Sequence, residues 1–115
     1  MQYVLLIYQG SIWANLSSLS EDQKRSIGGE YAAITNTPGI TPGPPLGLPK
    51  DATTVRVKDG NTQTTDGPFV NPEGAVGGYY ILEAEDLDAA IKVASRIPAA
   101  RLGGAIEIRP VGRYW

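Results

Sequence analysis

The chain has 115 residues, enough for one domain with its own core, and we expect residues 1–115 to fold as a single domain. Ten Lys and Arg against twelve Asp and Glu leave a net charge of −2 without long runs of either sign, which predicts no nucleic-acid partner. No cysteine is present, which excludes disulfides and thiolate chemistry and suits a reducing cytoplasm. No histidine is present either, so carboxylates, Tyr, Lys, Arg and hydroxyl groups remain for acid–base chemistry.

The first apolar segment, residues 3–8, predicts a buried strand. It is too short to cross a bilayer and follows no cationic leader, so we expect no membrane partner. Apolar side chains occupy both faces of the strand, Tyr3, Leu5 and Ile7 on one and Val4, Leu6 and Tyr8 on the other. Both faces of the surrounding sheet should therefore be covered.

A first helix is predicted near residues 20–35. Ser20 and Gln23 have the spacing of a capping box. Apolar residues then recur at helical spacing, at Ile27, Tyr31 and Ile34. Gly28 and Gly29 weaken a helix by about 1 kcal/mol each relative to alanine, so either the helix is irregular there or something packs closely against its backbone.

The middle of the chain predicts a loop followed by a hairpin. Five prolines and three glycines between residues 37 and 49 exclude a helix, and a short edge strand is expected near Leu46–Leu48. Residues 53–58 alternate with period two, Asp59 and Gly60 mark a tight turn, and residues 62–65 return as the partner strand.

The last third of the chain predicts a strand, a helix and a final strand. Residues 71–78 form a loop, Tyr79–Ala84 a strand, and Asp86 caps a helix whose apolar stripe ends at Ile97. Residues 105–111 alternate again. The two aromatics beyond that strand, in residues 113–115, either fray or place Trp115 at a dimer seam.

The order strand, helix, loop, hairpin, strand, helix, strand predicts an α+β fold, with a ferredoxin-like antiparallel sheet carrying two helices on one face. The apolar residues of the other face then need a second sheet. A two-fold homodimer that packs sheet against sheet supplies it with an identical surface.

The motif Asp66-Gly67-Pro68-Phe69 predicts a sharp turn that holds a carboxylate rigidly, because Gly67 tolerates unusual backbone angles and Pro68 fixes its own φ. Asp66 is either a catalytic group or a turn-forming acceptor, since an aspartate at the start of a turn commonly accepts a hydrogen bond from the backbone two residues on.

The charges of the sheet also allow two interpretations. If Ile106 and Ile108 face the helices, Glu107 and Arg109 face the interior of a barrel closed by the second sheet, and Arg56 points opposite to Val55 and Val57 of its strand. Glu107 with either arginine predicts a structural ion-pair network. Alternatively, the two guanidinium groups grip an anionic ligand while a buried Asp66 moves a proton.

Other possible sites are explained by structure. Glu85, Asp86 and Asp88 serve as capping and dipole partners at a helix start, so no metal is expected. The paired glycines lack the spacing of a phosphate-binding loop, and no cofactor is expected. Tyr79 and Tyr80 point to opposite faces, one to the core and the other to a cleft.

Several motifs together resemble the YCII-related family, in the branch named for its Asp-Gly-Pro-Phe motif. The resemblance runs from about Tyr3 to Val111 and rests on the segments 47–49, 52–56, 59–60, 65–69, 77–80, 83–87, 97–100 and 107–111. It implies a dimeric α+β barrel of the muconolactone-isomerase type, in bacteria, with an acid–base or small-molecule site in the cleft between sheet and dimer partner.

Three departures from that family pattern bear on function. The His-Asp pair of other branches is impossible without histidine, so Asp66 is the polar residue that carries over. Residues 71–74 read Asn-Pro-Glu-Gly where the branch has a Glu and a Lys-Glu pair, and residues 42–45 read Pro-Gly-Pro-Pro in place of Gly-Gly-Glu.

Two functions follow from the resemblance. One is an isomerase or lyase that uses Asp66 as the acid–base group, with a small anionic organic ligand bound by Arg56, Arg109, Tyr79, Tyr80 and Phe69. The other is a non-catalytic dimeric binding or regulatory module, as expected of relatives that act beside alternative sigma factors.

Overall fold

The computed structural model describes residues 1–11 and 16–112, apart from the side chains of Leu16 and Glu73. The two alternatives for Trp115 therefore lie outside the described residues. Within them are six strands and two α-helices: β1 (Gln2–Tyr8), α1 (Glu21–Thr35), β2 (Ile40–Pro42), β3 (Thr53–Lys58), β4 (Asn61–Asp66), β5 (Val76–Glu83), α2 (Leu87–Ala94) and β6 (Ala105–Pro110). None of the described helices has the length and apolar character needed to cross a membrane.

The main sheet has four antiparallel strands in the order β2-β5-β1-β6. With β3 and β4 set aside, this is the strand order of the ferredoxin-like plan, in which the first and third strands of the split βαβ units lie at the centre. The predicted α+β fold class is confirmed.

The core lies between this sheet and the two helices. Tyr3, Leu5 and Ile7 of β1 are buried there with Ile34 of α1 and Ala90 of α2, so both helices cover the same face. Side chains of β5 and β6 on that face complete the core, namely Tyr80, Leu82, Ile106 and Ile108. The face is apolar because alternate residues of each strand point towards the helices.

The opposite face, called the open sheet face below, is covered by neither of the described helices. It carries Val4, Leu6 and Tyr8 of β1, each of them partly exposed. The register places Tyr79 and Glu107 beside Leu6, and Ile81 and Arg109 beside Val4. Within the described part of one chain, the apolar side chains of β1 are therefore covered on the helix side of the sheet and uncovered on the open side.

The helix starts follow the local signals. Ser20 Oγ accepts from the Gln23 backbone N–H at 3.1 Å while the Gln23 side chain accepts from the Ser20 N–H at 2.8 Å, which confirms the capping box. Asp86 accepts from the Ala89 N–H at 2.9 Å and confirms the second cap. Gly28 and Gly29 lie in continuous helix, and a Cβ built at either would have no described atom within 4 Å. Within the described part of one chain, the helix is therefore neither irregular at these glycines nor closely packed against another element.

The short edge strand lies at Ile40–Pro42 instead of the predicted Leu46–Leu48. Ile40 pairs with Leu82 and Pro42 with Tyr80 along the free edge of β5. Proline is tolerated at an edge because its missing N–H is not needed for pairing. The prediction was wrong because strand propensity does not show which residues lie beside an unpaired strand.

The hairpin β3–β4, called the arm below, is confirmed as a separate two-stranded sheet. Asp59 and Gly60 have φ of 52° and 77°, the positive pair that a type I′ turn requires. The radius of gyration is 16.0 Å, whereas a compact chain of this length has about 13 Å. The molecule measures 47 × 42 × 19 Å, so it is only two layers thick and the arm extends it sideways.

Candidate functional site

The turn that follows the arm is tied to the start of the arm. The Gly67 N–H donates to the Ala52 carbonyl at 2.7 Å, and the Thr54 hydroxyl donates to the Gly67 carbonyl at 2.8 Å. Gly67 has φ of +99°, a conformation that side-chain-bearing residues rarely adopt. These contacts fix the direction in which Pro68 and Phe69 leave the arm.

The turn and the proline-rich loop enclose a cleft of about 420 Å³, called the Phe69 cleft below. Its walls come from three segments, residues 46–49 with 51–52, residues 68–70 and residues 75–76. Most of the lining is apolar, and Asp51 is the charged residue among its walls. Two segments that the sequence singles out separately, Gly47-Leu48-Pro49 and Pro68-Phe69, therefore meet at one place.

Phe69 lines this cleft, and its ring contacts Arg56 of the arm, which is not itself one of the wall residues. The Phe69 side chain is 72% exposed, high for an aromatic ring. The guanidinium carbon of Arg56 lies 5.5 Å from the ring centroid, within cation–π range. The cleft thus has mostly apolar walls, and the exposed ring of one wall residue holds a cation against it.

Asp66 lies beside this cleft and does not line it. It ends β4 opposite Thr53, its side chain is exposed, and it accepts no hydrogen bond or ion pair in the described part of the chain. The turn-forming role predicted for it is wrong for a simple reason: the residue two positions on is Pro68, which has no N–H to donate. A role in proton transfer is not tested by this geometry.

The remaining sequence candidates are divided between two places. Tyr80 is buried in the core, whereas Tyr79 lies on the open sheet face, where Gly43 rests against its ring. Arg109 and Glu107 are exposed on the same open face. In the described residues of one chain they form no ion pair, and neither does Arg56, so the predicted structural network is absent there.

The network fails for a topological reason. Arg56 belongs to the arm, which forms a two-stranded sheet of its own, whereas Glu107 belongs to the edge strand β6 of the main sheet. Strand parity correctly placed Glu107 and Arg109 on one face, but parity carries no information on where the arm lies.

One tyrosine outside the cleft is electrostatically perturbed. Burial raises the pKa of the Tyr31 hydroxyl above its ordinary value of 10.0, and the nearby Tyr80 hydroxyl raises it further, against the lowering effect of the Gln9 side chain. The Gln9 amide lies 3.5 Å from that hydroxyl. Among the described residues, no three acidic side chains cluster closely enough to hold a metal ion.

A family model described as the YCII-related domain matches residues 1–114. The chain belongs to the YCII-related family. A curated relative, an uncharacterised protein of Rhizobium meliloti, is 26% identical over 117 residues that cover 99% of this chain and 94% of the relative. The family match spans the Phe69 cleft, the arm and the open sheet face of this YCII-related protein.

Several wall residues were not identified as part of a site by sequence analysis, among them Leu46, Asp51 and Val76. Leu46 carried a usable signal, because it is an apolar residue in a loop rich in proline and glycine, where burial in the chain's own core is unusual. Asp51 and Val76 carried none, since their part in the cleft depends on how distant segments meet.

Proposed function

We propose that this YCII-related protein is a homodimer that binds a small organic molecule in the Phe69 cleft. The observation that supports it is the meeting of the proline-rich loop and the Asp66–Phe69 motif around one apolar cleft of about 420 Å³. Small-molecule sites have this character, with apolar walls and few polar groups that fix orientation. The motif at residues 66–69 also supports membership in the Asp-Gly-Pro-Phe branch, and the cysteine-free chain supports a bacterial cytoplasmic location.

The proposed ligand has an apolar body and an anionic group. The body covers Phe69, and the anion meets Arg56, whose guanidinium is matched in geometry to a carboxylate. Asp51 on the cleft wall repels an anionic group that lies near it. The favoured orientation of the ligand therefore has its anionic group near Arg56 and away from Asp51.

The dimer is supported by the open sheet face. Its centre is apolar, at Val4, Leu6 and Ile81, and no element of the described chain covers it. A two-fold axis would bury the same surface of both copies at once, which is the arrangement of most homodimers. The proposed assembly therefore packs sheet against sheet.

Binding without catalysis is the function that the geometry favours. Among the described residues no polar or charged side chain is buried in one chain, and Asp66 stands outside the cleft walls. Acid–base groups are commonly tuned by burial and by neighbouring charges. The isomerase or lyase function remains the second candidate, because the Asp66 carboxylate is free and lies two peptide bonds from Pro68 of the cleft wall.

Fluorescence titration with 1-anilinonaphthalene-8-sulfonate, an apolar anion, tests the site. Phe69→Ala removes the exposed ring and should weaken binding about tenfold, since covering such a side chain is worth about 1.5 kcal/mol or more. Leu87→Ala is the control, because Leu87 is also an exposed apolar side chain but lies on α2. Equal affinity in the wild type and Phe69→Ala would refute the cleft as the binding site.

A second pair of variants tests the anionic end. Arg56→Gln should weaken binding of the same probe, whereas Lys58→Gln, which removes a cation two residues along the same face of β3, should leave it unchanged.

Proton exchange of enolisable carboxylic acids in deuterated water, followed by NMR, tests for catalysis. Exchange that depends on protein and disappears in Asp66→Asn would establish the isomerase or lyase alternative.

A further inference from the structure

The arm lacks the support that an isolated hairpin needs. Its twelve strand residues hydrogen-bond to each other and not to the main sheet, and nearly all of its side chains are exposed. A two-stranded hairpin alone is marginally stable in water and needs a third strand or a packed face. Val55 and Val57 are 60% and 67% exposed, so the arm carries an apolar surface without a cover.

The arm has one face that combines apolar residues with a single charge. Residues directly opposite each other in an antiparallel pair point to the same side. Val55 and Val57 share their side with Thr53, and Asp66 is paired with Thr53, so Asp66 lies on the valine face. This carboxylate has no partner in the described residues.

The open sheet face offers the complementary combination. Val4 and Leu6 are apolar, and Arg109 lies directly beside Val4 on the edge strand β6. Its guanidinium also has no ion-pair partner in the described residues. Glu107 is the other charge on this strand, beside Leu6, so a carboxylate from outside is attracted to the Arg109 end of the strand.

We propose that each arm lays its valine face along the β6 edge of the open sheet face of a second copy of this chain, beside the sheet-to-sheet contact, where the Asp66 carboxylate pairs with Arg109 of that copy. The inference rests on the homodimer proposed above and adds to it which residues meet. It brings together Asp66 and Arg109, two candidate residues that one chain keeps apart.

Several observations favour a second copy as the occupant. Both uncovered surfaces belong to the same chain. One isologous association therefore covers the arm and the sheet face of each copy. Their charges are complementary, an acid with the valines of the arm and an arginine with the apolar centre of the sheet. The chain is 19 Å thick along its shortest axis, the thickness of two layers, so its own arm does not lie over its sheet as a third layer.

A charge-exchange experiment tests this pairing. Two full-length variants are made, Asp66→Arg and Arg109→Asp. Each homodimer then contains like charges at both contacts and should dissociate about tenfold more readily than the wild type. In the mixed dimer both contacts again join opposite charges, so native mass spectrometry of the mixture should find heterodimers well above the half that random pairing gives.

A matched pair of variants controls for overall charge. Glu85→Arg and Arg96→Glu make the same net changes at exposed positions of the helical side, outside both proposed surfaces. An excess of heterodimers in the first mixture over this control supports the inference. Equal fractions in the two mixtures overturn it while leaving the dimer intact, whereas a monomeric wild type overturns the dimer proposal and this inference together.

The cysteine-free chain allows a second measurement if the charge variants fold poorly. Asp66→Cys and Arg109→Cys chains are mixed and treated with a short thiol-to-thiol cross-linker. A covalent dimer in the mixture, and much less in either variant alone, supports the pairing. Cross-linking of each variant with itself that equals the mixture contradicts it.

Discussion

Replacement of Gly67 by alanine should destabilise the protein through the backbone alone. No atom lies within 4 Å of a Cβ built at Gly67, so an added methyl group meets no steric contact. The φ of +99° is nevertheless closed to alanine, and holding such a conformation costs about 1–3 kcal/mol. We therefore expect Gly67→Ala to lower Tm by about 4–12 °C, at about 4 °C per kcal/mol for a chain of this size.

Gly29→Ala is a control that makes the same chemical change but should have the opposite effect on stability. Gly29 lies inside α1, and a Cβ there also meets nothing within 4 Å. Alanine is a better helix former than glycine by about 1 kcal/mol, so this variant should raise Tm by up to about 4 °C.

Thermal unfolding followed by far-UV circular dichroism measures both changes on the same scale. A Gly67→Ala variant with unchanged Tm would refute the reasoning, because it would show that the turn is not coupled to the four-stranded sheet. A Gly29→Ala variant that loses stability would show that something packs against α1 in the native assembly.

Three further predictions concern single residues. Because Asp66 accepts no hydrogen bond from the described residues of its own chain, Asp66→Asn and Asp66→Ala should both stay within about 0.5 kcal/mol of the parent in urea unfolding of the Leu6→Glu chain, which we expect to be monomeric, and a clearly weaker Ala variant would contradict this. A Cβ at Gly104 would overlap the Tyr8 carbonyl oxygen, so Gly104→Ala should cost about 3 kcal/mol or more, and normal accumulation of folded protein would contradict the packing at that turn. The raised pKa of Tyr31 means that the folded state holds this proton more tightly, so its stabilising effect is complete below about pH 10 and is lost as the pH rises further. Urea unfolding at pH 8 and pH 11 should show a smaller loss in Tyr31→Phe than in the wild type, and equal losses would contradict that assignment.

Features set by neighbouring residues were predictable from sequence. The capping box at Ser20, the cap at Asp86 and the turn at Asp59 each depend on side chains within three positions, and all three form as expected. The fold class followed from the order of these elements.

Features set by distant contacts were not predictable in the same way. The short edge strand is Ile40–Pro42 because those residues lie beside the free edge of β5, which propensity does not reveal. The walls of the Phe69 cleft come from three separate segments, of which sequence motifs identified two. The absence of a hydrogen bond from the backbone of residue 68 to Asp66 could have been deduced, since Pro68 has no N–H to donate.

The mass of the protein in solution tests the central proposal, association through the open sheet face, most directly. Sedimentation equilibrium at micromolar concentration should give about 24 kDa for the wild type, twice the 12.2 kDa of one chain. Leu6→Glu places a charge at the centre of the open face and should give the mass of one chain with its circular dichroism spectrum retained. Leu87→Glu, the same change on α2, should remain a dimer. A wild type with the mass of one chain, or a folded Leu6→Glu variant that is still a dimer, would contradict the account.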